Sequence, residues 1–384
     1  MRKALAAVAL LAVSLATACG TKIGPGHDDK EVHLGLFVST SGEIATFGED
    51  TKKGVELAVE EINAAGGIKG KKIKLTHYDT ASKPEEGKAA ATKLATQDNV
   101  FVAMGAVASG ISLAAAPEFQ KYGIPMVSPS STNPTVTQQG NYIFRVCYLD
   151  DFQGAACAAF AQNDLKAKKA AILQNQDDAY STGLSDFFEA RFKKAGGEIV
   201  AKESYKKGTS DFNTQVTNIK AKSPDVVFLP CYYNDAALIA QQCRAQGLNV
   251  PLLGGDGWES DKLVPNAKGA LEGCYFGNHY AEADANPKVV AFVEAYRKKY
   301  GNAPSSLAAL GYDVVYVVKK AIEDAGEFDR AKVRDALAKL KGYEGVTGKF
   351  DIDENRDARK SISMLKIEGE KFRFVRQINP SEVE

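Results

Sequence analysis

The chain has no excess of either charge: 48 Lys and Arg stand against 48 Asp and Glu in 384 residues. With no basic stripe interleaved with aromatics, it offers nucleic acid no electrostatic footprint. Acidic and basic residues are scattered along helical stretches, the pattern of a solvated surface. Histidine is scarce as well. The four are His27, His33, His77 and His279, and none is spaced as a metal pair. His33 and His77 fall inside strand-like stretches, a structural setting. No two cysteines form C-x-x-C, which excludes zinc ribbons and thioredoxin-like redox motifs. No G-x-G-x-x-G follows the first strand, and G-x-x-x-x-G-K-[ST] is missing, so no nucleotide cradle is signalled. There is no G-x-S-x-G nucleophile elbow. The run Asp351-Ile352-Asp353-Glu354-Asn355 starts like a calcium loop. However, Arg356 stands where that loop needs Gly, and Ile362 where it needs a bidentate Glu, so it reads as an acidic turn. No catalytic residue, cofactor or metal is expected.

What is present begins with an export leader. Arg2 and Lys3 precede an apolar core from Ala4 to Ala16, too short to span a membrane. Two cleavage readings compete over Leu15-Ala16-Thr17-Ala18-Cys19-Gly20. Small residues before Cys19 look like a lipobox, which would make Cys19 a lipidated N-terminus, although Leu15 lies four residues before the Cys rather than three. Ala16-Thr17-Ala18 also fits an ordinary small-x-small site. Either way residues 1–18 are a signal peptide and the mature chain lies outside the cytoplasm, in the periplasm or at the cell surface. Residues 19–30 are polar and Gly-rich, and read as a flexible tether. The remaining cysteines are Cys147, Cys157, Cys231, Cys243 and Cys274. Their odd number leaves at least one unpaired within the chain. Buried free thiols are favoured over any bridge, with Cys231 and Cys274 the weakly favoured pair.

A chain of 384 residues is long for one core and natural for two domains. From residue 32 strands and helices alternate. Strands are expected at Val32–Val38, Ile73–Tyr78, Val100–Ala106, Ile124–Val127 and Asn141–Val146, with helices between. A second run follows, with strands at Lys169–Leu173, Ile199–Tyr205, Val226–Leu229 and Pro251–Gly254. Such units predict α/β folding in two lobes of parallel sheet flanked by helices. Helices return at Pro287–Tyr300, Ser305–Ala325 and Ala331–Leu340. Ser361–Ile367 and Phe372–Val375 then read as a closing hairpin around Gly369. The expected division is 31–148 with 278–343 for the N-terminal lobe, and 149–277 with 344–384 for the C-terminal lobe.

Met104–Thr132 draws the eye first. One strand delivers Ser109, read as the cap of a helix, and the next delivers Ser130 and Thr132 into a loop. Hydroxyls and free backbone N–H groups at the carboxyl ends of neighbouring strands form a natural anion site. Phe47 follows the first strand. In the second run Tyr180, Tyr232 and Asp256 each follow a strand end. Hydroxyls on one wall, with an acid and aromatics on the other, are what a zwitterion requires. Trp258, the only Trp, is expected to narrow or floor the pocket.

These residues carry a resemblance. Thr40–Gly70, TSGEIATFGEDTKKGVELAVEEINAAGGIKG, resembles the solute-binding proteins of branched-chain amino-acid ABC importers, the leucine/isoleucine/valine-binding family. The likeness continues through VASGISLAAAP, IPMVSPSSTNP, YIFRVCYLDDFQG and DAYSTGL, and thins after Ala281. It implies a type I periplasmic binding protein, two Rossmann-like lobes joined by a three-crossover hinge that closes on an amino acid. It implies that Ser109 and Thr132 bind the ligand α-carboxylate, that the Ser130 carbonyl meets the α-ammonium, and that Asp256 pairs with it. Tyr180 and Tyr232 would cover the ligand, and Phe47 would line its side-chain pocket. An unpaired Asp256 would then make closure await the ligand. Asp256 stands where the family usually has Glu. Ser82 and Ala108 occupy positions that form a disulfide in some members. The implied partners are an amino acid, aliphatic by its pocket, and the permease subunits of an importer, with the chain a monomer and the membrane reached only through Cys19. An extracytoplasmic sensor and a secreted α/β hydrolase are the alternatives.

Overall fold

A computed structural model describes residues 23–280 and 286–383. The leader, Cys19 and the start of the tether lie outside the described residues. Among the described residues, no helix is long and apolar enough to cross a membrane.

The first lobe is built from β1 (Glu31–Val38), α1 (Ala45–Ala64), β2 (Lys72–Asp79), α2 (Pro84–Thr96), β3 (Val102–Gly105), α3 (Ser109–Tyr122), β4 (Met126–Ser128) and β5 (Ile143–Arg145). Its sheet runs β2-β1-β3-β4-β5, all parallel. The inner strands are apolar on both faces: Leu34, Leu36, Phe37, Val102 and Met104 are fully buried. That is what helices on both sides of a parallel sheet demand.

The second lobe comprises α4 (Asp150–Asn163), β6 (Lys169–Asn175), α5 (Ala179–Lys194), β7 (Glu198–Tyr205), α6 (Asn213–Ala221), β8 (Val226–Leu229), α7 (Tyr233–Ala245), β9 (Leu252–Gly254), α8 (Leu263–Ala267) and β10 (Tyr275–Asn278). The chain then returns to the first lobe with α9 (Pro287–Tyr300), α10 (Ser306–Ala325) and α11 (Arg330–Ala338). A small antiparallel sheet follows, β11 (Tyr343–Gly345), β12 (Gly348–Ile352) and β13 (Ala358–Arg359). The hairpin β14 (Ile362–Glu368) and β15 (Lys371–Ile378) completes the second sheet, in the order β15-β14-β10-β9-β8-β6-β7. The hairpin strands are its antiparallel members.

Two expectations are corrected here. The tether does not extend freely to residue 30. The Gly24 N–H donates to Asn99 Oδ1 at 2.7 Å, the His33 N–H donates to Gly26 O at 2.9 Å, and the His27 ring packs on Phe101 and Phe328. The boundary at residue 344 falls too early. Asp313 of α10 accepts the N–H groups of Val346 and Thr347, each at 2.8 Å, which holds the small sheet on the first lobe. Passage to the second sheet comes only after β13. The preference for buried free thiols over any bridge holds: all five described cysteines are free and buried, Cys231 and Cys274 included.

Helix α10 lies along α1 at a glycine contact on each side. A Cβ on Gly54 would stand 1.9 Å from the Ala308 carbonyl oxygen, and one on Gly311 would stand 2.3 Å from that of Thr51. Backbone cannot retreat from such a contact as a flexible side-chain tip can. Gly54→Val is therefore expected to destabilise the protein by about 2–3 kcal/mol in denaturant titration.

Candidate functional site

Ligands of open α/β sheets bind beyond the carboxyl ends of the strands, where the strand order reverses. Here the two sheets turn those ends toward each other. Phe47 follows β1, Ser109 follows β3, and Ser130 and Thr132 follow β4. Tyr180 follows β6, Tyr232 follows β8 and Asp256 follows β9. All seven line one small cavity, together with Val107, Gly257 and Leu307.

The lobes are closed on one another. Phe47 meets Tyr232 edge-on, with ring centroids 5.7 Å apart, and Tyr232 stacks on Tyr180 at 5.2 Å. The Tyr233 hydroxyl donates to the Glu43 carbonyl at 3.0 Å, and Asn133 Nδ2 donates to the Ala179 carbonyl at 2.8 Å. Thr46 and Ser260 join hydroxyls at 3.1 Å.

On the first-lobe wall, Ser109 is not the cap that its position predicts. It is the first residue of α3, with Ala108 at the cap position and no side-chain cap bond. Its Oγ accepts the Asn133 N–H at 3.2 Å instead, because the loop after β4 folds over the helix start. Ser130 Oγ donates to the Val107 carbonyl at 3.2 Å. This loop is held from below by Arg145, which is fully buried. Its Nη1 donates to the Ser131 carbonyl, its Nη2 to that of Asn133 at 2.8 Å, and its Nε to Asp357 Oδ1 at 2.6 Å. Asp357 belongs to the last passage between the lobes, so one ion pair ties the hydroxyl loop to that passage. Lys360, three residues on, reaches the Val146 carbonyl at 3.3 Å, and burial lowers its pKa to about 8.

On the second-lobe wall Asp256 is far from unpaired, which corrects the expectation that closure awaits a counter-charge. Oδ1 accepts from Tyr180 Oη at 2.9 Å and from Gln153 Nε2 at 3.0 Å. Oδ2 lies 2.9 Å from His279 Nε2. Gln153 Oε1 accepts the Asp256 N–H at 2.8 Å, and the Tyr180 hydroxyl accepts that of Gly257 at 3.0 Å. Gln153 Nε2 also donates to Asp150 Oδ1 at 3.0 Å. Burial, followed by repulsion from Asp256, pushes the Asp150 carboxyl well above the usual carboxylate range. That shift favours the protonated form of Asp150 beside Asp256.

Trp258 does not reach the pocket. It is fully buried under β9, and its Nε1 donates to the Leu229 carbonyl at 3.1 Å. Ser82 does structural work of another kind, accepting the Ile44 N–H at 3.2 Å and donating to the Ser41 carbonyl at 2.9 Å. Asp353 closes the acidic turn by accepting the Asn355 and Asp357 N–H groups, at 2.8 and 3.0 Å. Gln153 and His279 went unread as site residues. Gln153 sits inside the YIFRVCYLDDFQG motif, and His279 follows β10 as directly as Asp256 follows β9. The strand-end rule that found the others applied to His279 too.

A family model for periplasmic binding proteins matches residues 31–371. The chain belongs to that family, whose members are two-lobed binding proteins rather than enzymes. Its kinship within the family is with amino-acid binders. An amino acid binding protein of Pseudomonas aeruginosa is 33% identical over 94% of this chain and 96% of its own. A leucine binding protein from Thermotoga maritima has a TM-score of 0.88 and 37% identity, over 91% of this chain and 99% of that one. A branched-chain amino-acid transporter substrate-binding protein from Streptococcus pneumoniae, solved with isoleucine, has a TM-score of 0.85 and 35% identity, over 90% and 99%.

Glu259, just past Asp256, joins the lobes near the second passage. Its Oε1 accepts the Ser306 N–H at the start of α10, at 2.9 Å, and its Oε2 accepts from Asn278 Nδ2. Burial still pushes its carboxyl up to about 7, above an ordinary 4.5. Between those values the folded protein holds a proton that the unfolded chain has lost. Stability from this group is therefore full below pH 4.5 and falls as pH rises toward 7. Glu259→Gln should flatten the loss of stability between pH 5 and 8 by about 3 kcal/mol, measured by denaturant titration across that range.

Proposed function

We propose that this chain is the exported solute-binding component of an ABC importer, and that it captures a branched-chain amino acid between its lobes and presents it to membrane permease subunits. The observation that carries the reading is the convergence of seven strand-end residues from both lobes on one small cavity. Hydroxyls and the amino end of a 14-residue helix lie on one side, and a carboxylate and tyrosines on the other.

In this reading Ser109 and Thr132 receive the α-carboxylate, helped by the partial positive charge of the α3 start. The Ser130 carbonyl and Asp256 receive the α-ammonium. Phe47, Val107 and Leu307 enclose the aliphatic side chain, while Tyr180 and Tyr232 close over it. Kinship with a leucine binding protein and with an isoleucine-bound relative supports the branched-chain class. The first-lobe sheet, with the returning helices α9–α11 and the small sheet β11–β13, would move as one body against the rest, hinged at the passages that carry Arg145, Asp357 and Lys360. Release of the leader places the protein in the periplasm or, through a lipid on Cys19, at the membrane surface.

Calorimetry on ligand-stripped protein with a panel of amino acids should find leucine, isoleucine or valine binding at micromolar Kd or tighter. Asp256→Asn should weaken that binding by about a hundredfold or more, since it removes one partner of a desolvated charge pair worth ~2–5 kcal/mol. Failure of every amino acid to bind would sink the reading.

A further inference from the structure

His279 is an expensive residue to keep where it stands. Its side chain is 1% exposed, and its Nδ1 has no hydrogen-bond partner. A buried polar atom left without a partner is a penalty that an aliphatic side chain would avoid. Its ring stacks on Tyr148 with centroids 3.8 Å apart, but that contact needs no nitrogen. The polar work it does is at Nε2, 2.9 Å from Asp256 Oδ2.

The groups around Asp256 limit what this bond means. From α4 come Gln153 and Asp150, with Cys157 one helical turn further on. From α5 comes Tyr180. Tyr148 and Cys147 lie on the first passage, Glu259 follows the same turn as Asp256, and Lys360 approaches His279 from the last passage. Burial outweighs the pull of Asp256 and, with Lys360, holds the imidazole pKa below its ordinary value. A neutral imidazole that donates from Nε2 must carry its proton there, which leaves Nδ1 a bare acceptor. The partnerless Nδ1 fits that tautomer.

A carboxylate offers about four lone-pair directions. Tyr180 and Gln153 take both on Oδ1, and His279 takes one on Oδ2. Among the described residues nothing takes the fourth. Asp256 is also one methylene shorter than the Glu usual at this position, so its reach is fixed by how it is held.

We propose that His279 is the positioning residue of the ammonium subsite: as a neutral Nε2–H donor it turns Asp256 so that one lone pair of Oδ2 faces the cavity, open to a single N–H of a primary ammonium ligand. The proposal rests on the amino-acid reading of the cleft. A charged imidazole would cancel Asp256, and an absent donor would leave Oδ2 free to rotate away. His279 thereby sets both the direction and the net charge of the subsite, and selects amines over neutral or acidic analogues.

Two substitutions separate the donor from the stack. His279→Gln keeps an N–H donor at similar reach and loses the ring. His279→Phe keeps the ring over Tyr148 and loses the donor, and His279→Leu serves in its place should the larger ring prevent folding. Calorimetry with leucine or isoleucine at pH 7 should give His279→Gln within about threefold of wild type, and His279→Phe at least tenfold weaker. In full-length 15N-histidine-labelled protein, the His279 signals should be those of the neutral Nε2–H tautomer with and without ligand. Equal loss in both substitutions, retention in His279→Phe alone, or an Nδ1–H or charged imidazole overturns the proposal while the amino-acid reading stands. A wild-type protein that binds no amino acid overturns both.

Discussion

A carboxylate enclosed between two lobes is the constraint on which the rest of this structure depends. Buried alone, the charge on Asp256 would cost several kcal/mol. Three donors from three separate elements of the second lobe offset that cost: Gln153 from α4, Tyr180 from α5 and His279 beyond β10. Each element must therefore keep its place relative to β9. The aromatic stack of Tyr180 on Tyr232, and the seating of Trp258 under the same strand, serve that end. Burial and the neighbouring carboxylate raise the pKa of Asp150 beside it, which disfavours a second negative charge at the cavity.

The opposite wall is organised by a charge of the other sign. Arg145 is buried completely, and it gathers the carbonyls of Ser131 and Asn133 while pairing with Asp357. The loop that carries Ser130 and Thr132 is thus joined to the last passage between the lobes. A buried ion pair adds little net stability, but it fixes one geometry, because a half-broken pair is costly.

Much of this was legible in the chain. The strand-helix alternation placed the main elements within a few residues, since strands apolar on both faces and helices ended by glycines leave little freedom. The rule that function sits past the carboxyl ends of parallel strands selected Phe47, Ser109, Ser130, Thr132, Tyr180, Tyr232 and Asp256, and all seven line one cavity. What could not be read depended on long-range contact. Ser109 looked like a cap because only the folded loop supplies Asn133 as a better partner. Trp258 looked like a pocket wall because nothing local shows that the turn after Asp256 points it under the sheet. The partners of Asp256 lie 103, 76 and 23 residues away along the chain. No spacing rule connects them.

The central claim is that Asp256 makes this cleft a receptor for an ammonium group as well as a carboxylate. The most direct measurement compares isoleucine with 3-methylpentanoate, which is the same molecule without its amine, by calorimetry on ligand-stripped protein. The account predicts micromolar or tighter binding of isoleucine and loss of at least a hundredfold for the desamino acid. Comparable affinity for the two would contradict it, since the buried carboxylate would then contribute nothing to recognition.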